Sequence, residues 1–199
     1  MKIRSSILLL ILFSLVVGAG PPVCANSEMS KEYQIKAAFL YNFIRFVDWP
    51  KERLIDEKAI TIGIIGKSPF GKAFEPLKDK KARDKKILVK QFPNVEVSKL
   101  SSKQIQALRK CHVLFLCRSE AKHFRKIMQS VKDHSVLFVG DTENFLAFGG
   151  MINFIKENEK VRFEINNKAA KEAGLDIRSK LLRLAKRVID EKASNGGKN

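Results

Sequence analysis

The segment Ala59-Ile60-Thr61-Ile62-Gly63-Ile64-Ile65 is a short, uninterrupted run of apolar and β-branched residues. It has the length of one strand, and it lacks the apolar–polar alternation of a strand with one face in water. Strands that are buried on both faces have this composition, and they occur mainly in parallel sheets with helices packed on each side. The run therefore predicts that this chain folds around a parallel sheet.

Further apolar runs alternate with segments of helical periodicity along the chain. The predicted strands are Ile87–Phe92, Cys111–Leu116 and Ser135–Val139, and the predicted helices are Glu32–Trp49, one that starts at Ser68, Ser102–Leu108 and Ser119–Val131. The segments Met151–Ile155 and Val161–Ile165 predict a β-hairpin, and Arg178–Ile189 predicts a last helix. This order predicts an α/β fold: a mostly parallel central sheet with helices on both faces, a C-terminal β-hairpin at the edge and a final helix.

The first 25 residues have the three parts of a secretory signal peptide. Two basic residues precede an almost wholly apolar stretch at 7–17, and small residues occur near Ala25. The apolar stretch is too short to cross a bilayer, which needs about 20 residues. We therefore expect cleavage between Ala25 and Asn26 and export to the periplasm. Lipidation of Cys24 is the alternative. The residue before a lipidated cysteine is normally small, whereas Val23 is β-branched.

Cleavage would leave a basic domain. The expected organisation is a signal peptide at 1–25, a single α/β domain at 26–192 and a disordered tail at 193–199. The signal segment has two basic and no acidic residues, so the exported chain keeps 36 Lys and Arg against 21 Asp and Glu, a net charge of +15. This charge favours an acidic protein domain or an anionic membrane surface as partner. Nucleic acid is not expected as a partner of an exported protein.

Two cysteines, Cys111 and Cys117, would remain after cleavage. Both lie in one predicted strand, where six residues span about 20 Å. A disulfide needs Cα atoms within about 7 Å. We therefore expect no bond between these two cysteines and regard them as small buried apolar residues.

The segment Gly66-Lys67-Ser68 follows the predicted strand Ala59–Ile65 in the position of a phosphate-binding loop. The position five residues before Gly66 is Thr61 rather than glycine, so the nucleotide-binding pattern is absent. If Ser68 caps a helix, its N-terminus beside Lys67 offers a weak anion site. Lys67 and Ser68 are therefore the candidate anion-binding residues, and a binding module for a small anionic ligand is one hypothesis.

The sequence shows no enzyme signature. Asp141 and Glu143 follow the predicted strand Ser135–Val139, where ligands bind in parallel sheets, but they are equally suited to a turn. The three histidines are His112, His123 and His134, and no pair has the close spacing of metal ligands. A hydrolase that uses these two carboxylates and a histidine is the weakest hypothesis. We predict no catalytic residue, metal or cofactor.

The helix Glu32–Trp49 has an apolar, aromatic side. Its apolar positions at three- and four-residue steps are Ile35, Ala38, Phe39, Phe43, Phe46 and Val47, with Asn42 among them. This side is core if it packs on the sheet and a contact surface where it is exposed. The candidate partner-contacting residues are Phe39, Phe43, Met151 and Phe154, and the hairpin edge offers a place for a partner strand.

Several segments together resemble the YfiR-like family of exported bacterial proteins. They are Tyr33–Phe43 with its Trp49-Pro50 exit, Ile64–Phe70, Cys111–Phe115, Gly149–Phe154, Val161–Asn166, and Leu175 through Ser179 to Leu181–Ala185. The resemblance extends over about residues 31–189, and the order and spacing of the segments are its most specific feature.

The resemblance implies a periplasmic α/β domain without catalytic activity. Characterised members bind the periplasmic domain of a membrane-bound diguanylate cyclase and repress it, which lowers cyclic di-GMP and biofilm formation. The resemblance therefore implies that this chain is a regulator whose partner is the periplasmic domain of a membrane sensor or diguanylate cyclase. A homodimer is compatible with the sequence, which carries no evidence for one.

Overall fold

The computed structural model describes residues 25–55, 57–93 and 101–190. The predicted signal segment, apart from its last residue, and the predicted tail at 193–199 lie outside the described residues. The cleavage junction at Ala25 and Asn26 falls at the first residues of the first helix. Within the described ranges, no helix is long and apolar enough to cross a membrane.

The described chain forms five α-helices and ten strands. The helices are α1 Ala25–Phe46, α2 Ser102–Arg109, α3 Phe124–Ser130, α4 Asn167–Glu172 and α5 Ser179–Leu182. The strands are β1 Val47–Asp48, β2 Ala59–Ile65, β3 Lys81–Ala82, β4 Lys85–Phe92, β5 Val113–Leu116, β6 Leu137–Gly140, β7 Ile152–Glu157, β8 Lys160–Asn166, β9 Asp176–Ile177 and β10 Arg187–Ile189.

Eight of these strands form one sheet in the order β10-β8-β7-β6-β5-β2-β4-β3. The pairs β2–β4, β2–β5, β5–β6, β6–β7 and β8–β10 are parallel, whereas β3–β4 and β7–β8 are antiparallel. A separate antiparallel pair joins β1 to β9. The predicted α/β fold with a mostly parallel sheet is confirmed.

Strand β2 lies inside the sheet, as its composition predicts. Residues 60–65 are all buried. At Gly63 an added Cβ would lie 2.6 Å from Leu114 Cδ2 and 2.9 Å from Cys111 Sγ, so the strand has no room there for a side chain. Apolar residues fill both faces of β2 because neither face meets water.

Helices cover both faces of the sheet. On one face, Phe43 of α1 stacks on Phe154 of β7, with 5.6 Å between ring centroids. On the other face, Phe124 of α3 packs edge-on against Phe138 of β6 at 5.9 Å. Phe115 of β5 contacts the ring of Phe154 and is the register partner of Val139, so the neighbouring Phe138 points to the opposite face.

The buried side of α1 differs from the predicted one. The buried residues are Tyr33, Lys36, Ala37, Leu40, Phe43, Ile44 and Val47. Ile35 is 47% exposed, and Ala38 is also exposed. Both stripes satisfy the helical spacing, so periodicity alone does not choose between them. The helix also ends at Phe46 rather than Trp49, because the chain pairs with β9 from Val47.

The prediction of a helix that starts at Ser68 is wrong. Residues 68–70 have no regular secondary structure, residues 71–74 form a turn, and a short 3₁₀ helix follows at Glu75–Leu77. Gly71 has a φ of +46°, which a right-handed helix does not accommodate. Phe70 packs edge-on against Tyr33 at 5.0 Å and Phe115 at 4.9 Å, so core packing directs this segment inward.

The predicted final helix at Arg178–Ile189 is also largely wrong. Only α5 is helical there, and β10 follows it. Lys186 N donates to Phe163 O at 2.8 Å, and Arg187 Nε lies 2.8 Å from Glu164 Oε1, so the segment pairs with β8. The hairpin of β7 and β8 therefore does not end the sheet, because β10 lies outside it.

An arginine–carboxylate cluster holds the end of α1. Asp48 accepts hydrogen bonds from Arg178 Nε at 2.7 Å and Arg83 Nη2 at 2.5 Å. These guanidinium groups, Arg178 first, lower the pKa of Asp48 to about 2. The cluster ties β1 to β9 and to the β3–β4 turn, three segments that are distant in sequence.

We expect Phe43→Ala to destabilise the fold by about 3–5 kcal/mol, because it leaves a cavity among fully packed aromatic rings. Ile35→Ala on the same helix is the matched control and should change stability by less than about 1 kcal/mol, because Ile35 is half exposed. Urea unfolding followed by circular dichroism measures both. Equal effects of the two substitutions would contradict the assigned buried face of α1.

Candidate functional site

The carboxyl ends of the parallel strands form the edge of the sheet where ligand sites usually occur. The chain leaves β2 to form β4 on one side and returns to form β5 on the other, so the strand order reverses between β2 and β5. Open α/β sheets bind ligands outside such a reversal. The segments that meet there are Gly66–Ser68 after β2, Cys117–Glu120 after β5 and Asp141 after β6.

Side chains of the protein occupy the crevice beside the predicted anion site. Lys67 N donates to Ser119 Oγ at 3.0 Å. Gly66 has a φ of +94°, and a Cβ there would lie 2.4 Å from Ser119 Oγ and 2.6 Å from Glu120 Cγ. Ser68 Oγ accepts only a long bond from Phe70 N at 3.4 Å. The helix that was expected to supply amide donors at Ser68 does not form, and the carboxylate of Glu120 opposes an anion.

A buried ion pair forms the centre of this edge. Asp141 Oδ2 accepts hydrogen bonds from Lys36 Nζ at 2.6 Å and Tyr33 Oη at 2.7 Å. The side chains of Lys36 and Asp141 are 3% and 1% exposed. Lys36 Nζ also lies 2.5 Å from Glu32 Oε1 and 4.2 Å from the centroid of the Tyr33 ring. The cluster connects α1 to the end of β6 across 105 residues of sequence.

Arg118 covers the cluster from the solvent side. Its Nε donates to the backbone oxygen of Asp141 at 3.2 Å and lies 3.5 Å from Asp141 Oδ1. The arginine side chain is 69% exposed, whereas the carboxylate beneath it is buried. The positive charges of Lys36 and Arg118 thus balance the negative charges of Glu32 and Asp141.

Burial has two effects on this cluster. Desolvation, with the hydrogen bond to Asp141 as a second cause, raises the pKa of Tyr33 above its usual value, so the phenol remains a donor to Asp141. A charge removed from water is stable only when it is paired and hydrogen-bonded. Lys36 Nζ and Asp141 Oδ2 meet that condition, whereas Asp141 Oδ1 is buried without a hydrogen-bond partner and lies 3.5 Å from Arg118 Nε. The cluster acts as a structural clasp between helix and sheet.

The carboxylates and histidines of the hydrolase hypothesis do not come together. Asp141 is committed to Tyr33 and Lys36, and Glu143 is exposed. His112 precedes β5, so it lies at the opposite edge of the sheet from Asp141. His123 Nδ1 pairs with Glu120 Oε2 at 3.1 Å instead.

Metal ligands are not clustered either. In the described ranges, no group of three or more His, Cys, Asp or Glu side chains is arranged to hold a metal ion. His134, the remaining histidine, bonds through Nδ1 to Lys132 O at 2.7 Å.

The two cysteines are free and buried. Burial raises the pKa of Cys111 to about 11 and that of Cys117 to about 12. Because the thiolate is the reactive form of cysteine, both thiols are chemically quiet at neutral pH.

His112 is a buried titratable group at the amino edge of the sheet. Its Nδ1 accepts a hydrogen bond from Thr61 N at 3.1 Å, and its ring meets Trp49 edge-on. Burial, followed by the charge of Arg53, lowers the pKa of His112 to about 4. The imidazole is therefore neutral in the folded protein at physiological pH.

Three of the four predicted partner-contacting residues belong to the core. Phe43, Phe154 and Met151 are 0%, 3% and 5% exposed, and Phe39 is partly buried against them. Phe39 and Phe43 pack against Phe154 and Phe163 with ring centroids 5.2–6.0 Å apart. The prediction that Phe43, Met151 and Phe154 contact a partner is therefore wrong, because packing between the sheet and its helices already buries all three side chains.

A mostly apolar cavity of about 210 Å³ lies between α3, α4 and the sheet. Met128, Phe138, Met151 and Ala169 contribute to its wall, and Lys132 and Glu172 are among its charged residues. It lies on the face of the sheet opposite α1, away from Lys67 and Ser68.

Tyr33, Lys36 and Arg118 are not among the functional residues that the sequence predicts. A signal for one of them is present: Lys36 falls within a stripe of apolar residues at Tyr33, Ala37, Leu40 and Ile44. A lysine in such a stripe indicates a buried acidic partner. The position of Arg118 carries no comparable signal, because an arginine after a strand is ordinary.

The family model described as YfiR/HmsC-like matches residues 33–186. That range begins at Tyr33 and contains every residue of the clasp except Glu32. No curated protein matches the chain.

Two solved structures share the fold. One is the ABC domain in complex with L-Trp from Streptococcus pneumonia, with a TM-score of 0.56 and 16% identity over 79% of this chain. The other is a conserved domain protein from Vibrio cholerae, with a TM-score of 0.51 and 12% identity over 78% of this chain. The match spans 60% of each of those chains. At these identities the likeness concerns the fold alone.

The clasp predicts strong energetic coupling between Lys36 and Asp141. We expect Lys36→Met and Asp141→Asn to cost about 3–5 kcal/mol each, because each leaves a buried charge without its buried partner. The double variant should cost clearly less than the sum. Lys168→Met, which removes an exposed pair with Glu172, is the control and should cost under about 1 kcal/mol. Denaturant unfolding measures all four variants, and additive effects would contradict the clasp.

His112 predicts acid sensitivity. An unfolded histidine titrates near 6.5, above the folded value, so the unfolded state binds protons first as the pH falls. The stabilising contribution of neutral His112 is complete above pH 6.5 and should be lost between pH 6.5 and 4, by up to about 3 kcal/mol. His112→Asn keeps an acceptor for Thr61 N but does not titrate, so its unfolding free energy should vary less over this range. If the unfolding free energies of the variant and the wild type change equally between pH 6.5 and 4, His112 is not the source of the acid sensitivity.

Proposed function

The chain belongs to the YfiR/HmsC-like family, and from this membership we propose that it is an exported regulator that binds the periplasmic domain of a membrane signalling protein. We propose further that this partner is a diguanylate cyclase and that binding represses it. The family is known in the context of cyclic di-GMP regulation, and that context is the observation that carries the proposal.

The closed carboxyl edge supports a role in binding rather than catalysis. A catalytic acid or base has to reach the substrate's proton. Asp141 is instead 1% exposed and bonded to Lys36 and Tyr33. The thiols of Cys111 and Cys117 are buried and protonated, which argues against redox chemistry as the means of regulation.

Export is part of the proposal. Cleavage between Ala25 and Asn26 would remove the apolar stretch and leave α1 essentially complete, because the helix begins at Ala25. The exported chain would carry a net charge of +15. In the periplasm this charge favours an acidic sensor domain, with the anionic membrane surface close by.

Deletion of the gene should raise cellular cyclic di-GMP and biofilm formation, because the proposed cyclase would lose its repressor. Expression of the full chain should restore the original level. Expression of the chain without residues 2–25 should not restore that level, because the protein would not reach the periplasm. Mass spectrometry of cyclic di-GMP in cell extracts and biofilm staining provide the measurements.

The matched control is the full chain with Lys168→Met, a distant surface change that should complement fully. An unchanged cyclic di-GMP level after deletion, with no cyclase recovered on the tagged protein, would refute the proposed function. Complementation by the chain without its first segment would refute the role of export.

A further inference from the structure

The two ends of the sheet differ in how they are covered. At one end β10 pairs with β8 over Glu164–Asn166. At the other end β3 pairs only with Lys85 and Lys86 of β4. In the described part of the chain, no strand pairs with the outer side of β4 from Ile87 to Phe92.

Backbone groups of β4 point outward along this open edge. Phe92 O accepts from Gly66 N at 2.8 Å, so residue 92 directs its backbone groups toward β2. Successive residues of a strand alternate in this respect. Ile87, Val89 and Gln91 therefore direct their N–H and C=O groups away from the sheet, over a length sufficient for a strand to add.

The side chains at this edge are apolar and accessible. Leu88 is 47% exposed and Val89 is 36% exposed. They are successive residues, so they lie on opposite faces of the sheet. An added strand would cover apolar surface on both faces as well as satisfy the backbone groups. Strand addition of this kind is a common mode of peptide recognition.

Charge identifies the kind of strand that fits. Residues 78–92 contain seven Lys or Arg and two Asp. Lys81, Lys86 and Lys90 are exposed. A second copy of this edge would bring like charges opposite one another, which is unfavourable in paired strands. An acidic strand would pair with the lysines.

We propose that the outer edge of β4, from Ile87 to Phe92, binds an extended acidic segment of a partner protein as an added strand. This inference rests on the proposed function only in that it assigns the contact surface for that partner. Lysines at an edge also protect sheets from aggregation, and that purely protective role is one outcome of the test.

The test uses the purified protein and a ten-residue peptide of alternating Glu and Val, with fluorescence anisotropy at low salt. Val89→Pro removes one outward N–H without removing a bond to β2 and should weaken binding at least tenfold. Val89→Thr keeps that N–H and should bind like wild type. A peptide of alternating Lys and Val should bind at least tenfold more weakly. Amide exchange at Ile87, Val89 and Gln91 should slow when the Glu–Val peptide binds.

A charge-reversed variant, Lys86→Glu with Lys90→Glu, keeps the test valid if Val89→Pro fails to fold. It should also lose at least tenfold in affinity for the Glu–Val peptide. Absence of binding to wild type, equal affinity of wild type and both variants, or equal binding of the Lys–Val peptide would overturn the proposal. Aggregation of Lys86→Thr with Lys90→Thr, without peptide binding to wild type, would assign the lysines a protective role only.

Cyclic di-GMP levels in cells distinguish a failure of this inference from a failure of the proposed function. If wild type restores cyclic di-GMP in the deletion strain and Val89→Pro at equal abundance does as well, the edge is not the contact surface and the proposed function stands. If deletion leaves cyclic di-GMP unchanged, the proposed function fails, and the peptide experiment still decides on the edge. A dimer of wild type that Val89→Pro converts to monomer would overturn the proposal in favour of self-pairing.

Discussion

The ion pair between Lys36 and Asp141 constrains the rest of the structure more than any other single contact. Both groups are removed from water, and a buried charge without a partner is strongly destabilising. In the observed rotation of helix α1 about its axis, Lys36 faces the end of β6 and pairs with Asp141. That rotation directs Phe43 into the sheet and Ile35 toward solvent. The arginine–carboxylate cluster at Asp48 holds the other end of the same helix.

This arrangement gives the carboxyl edge of the sheet a structural role. In many parallel sheets that edge is open to ligands. Here Ser119 and Glu120 pack over Gly66, and Arg118 covers Asp141. The polar residues of the edge are used to fasten a helix to the sheet. A regulator that acts by binding has no need for an open catalytic cleft, and its contact surfaces are expected elsewhere on the molecule.

The two ends of the sheet show how local sequence and tertiary contacts share control. Lys186–Ile189 has helical periodicity with the residues before it, yet it extends along β8 because that strand offers unpaired backbone groups. At the other end, the β3–β4 turn brings only two residues of β3 into register. The open stretch of β4 therefore carries lysines and half-exposed apolar residues together. This combination is uncommon inside a sheet and typical of its edge.

The class of fold follows from the sequence alone, because uninterrupted apolar runs such as Ala59–Ile65 are stable only where both faces of a strand are covered. The sequence also indicates the family, because the segments that carry the resemblance all lie within residues 33–186, the range that the family model matches. The side of α1 that is buried depends on tertiary packing, because two overlapping stripes have the same period. Tertiary packing likewise decides that Ser68 starts no helix, since Phe70 is drawn into the core. The pairing of Lys36 with Asp141 joins residues 105 positions apart. The apolar stripe around Lys36 indicates a buried acidic partner but does not identify Asp141, because the energy of that contact depends on burial by the whole fold.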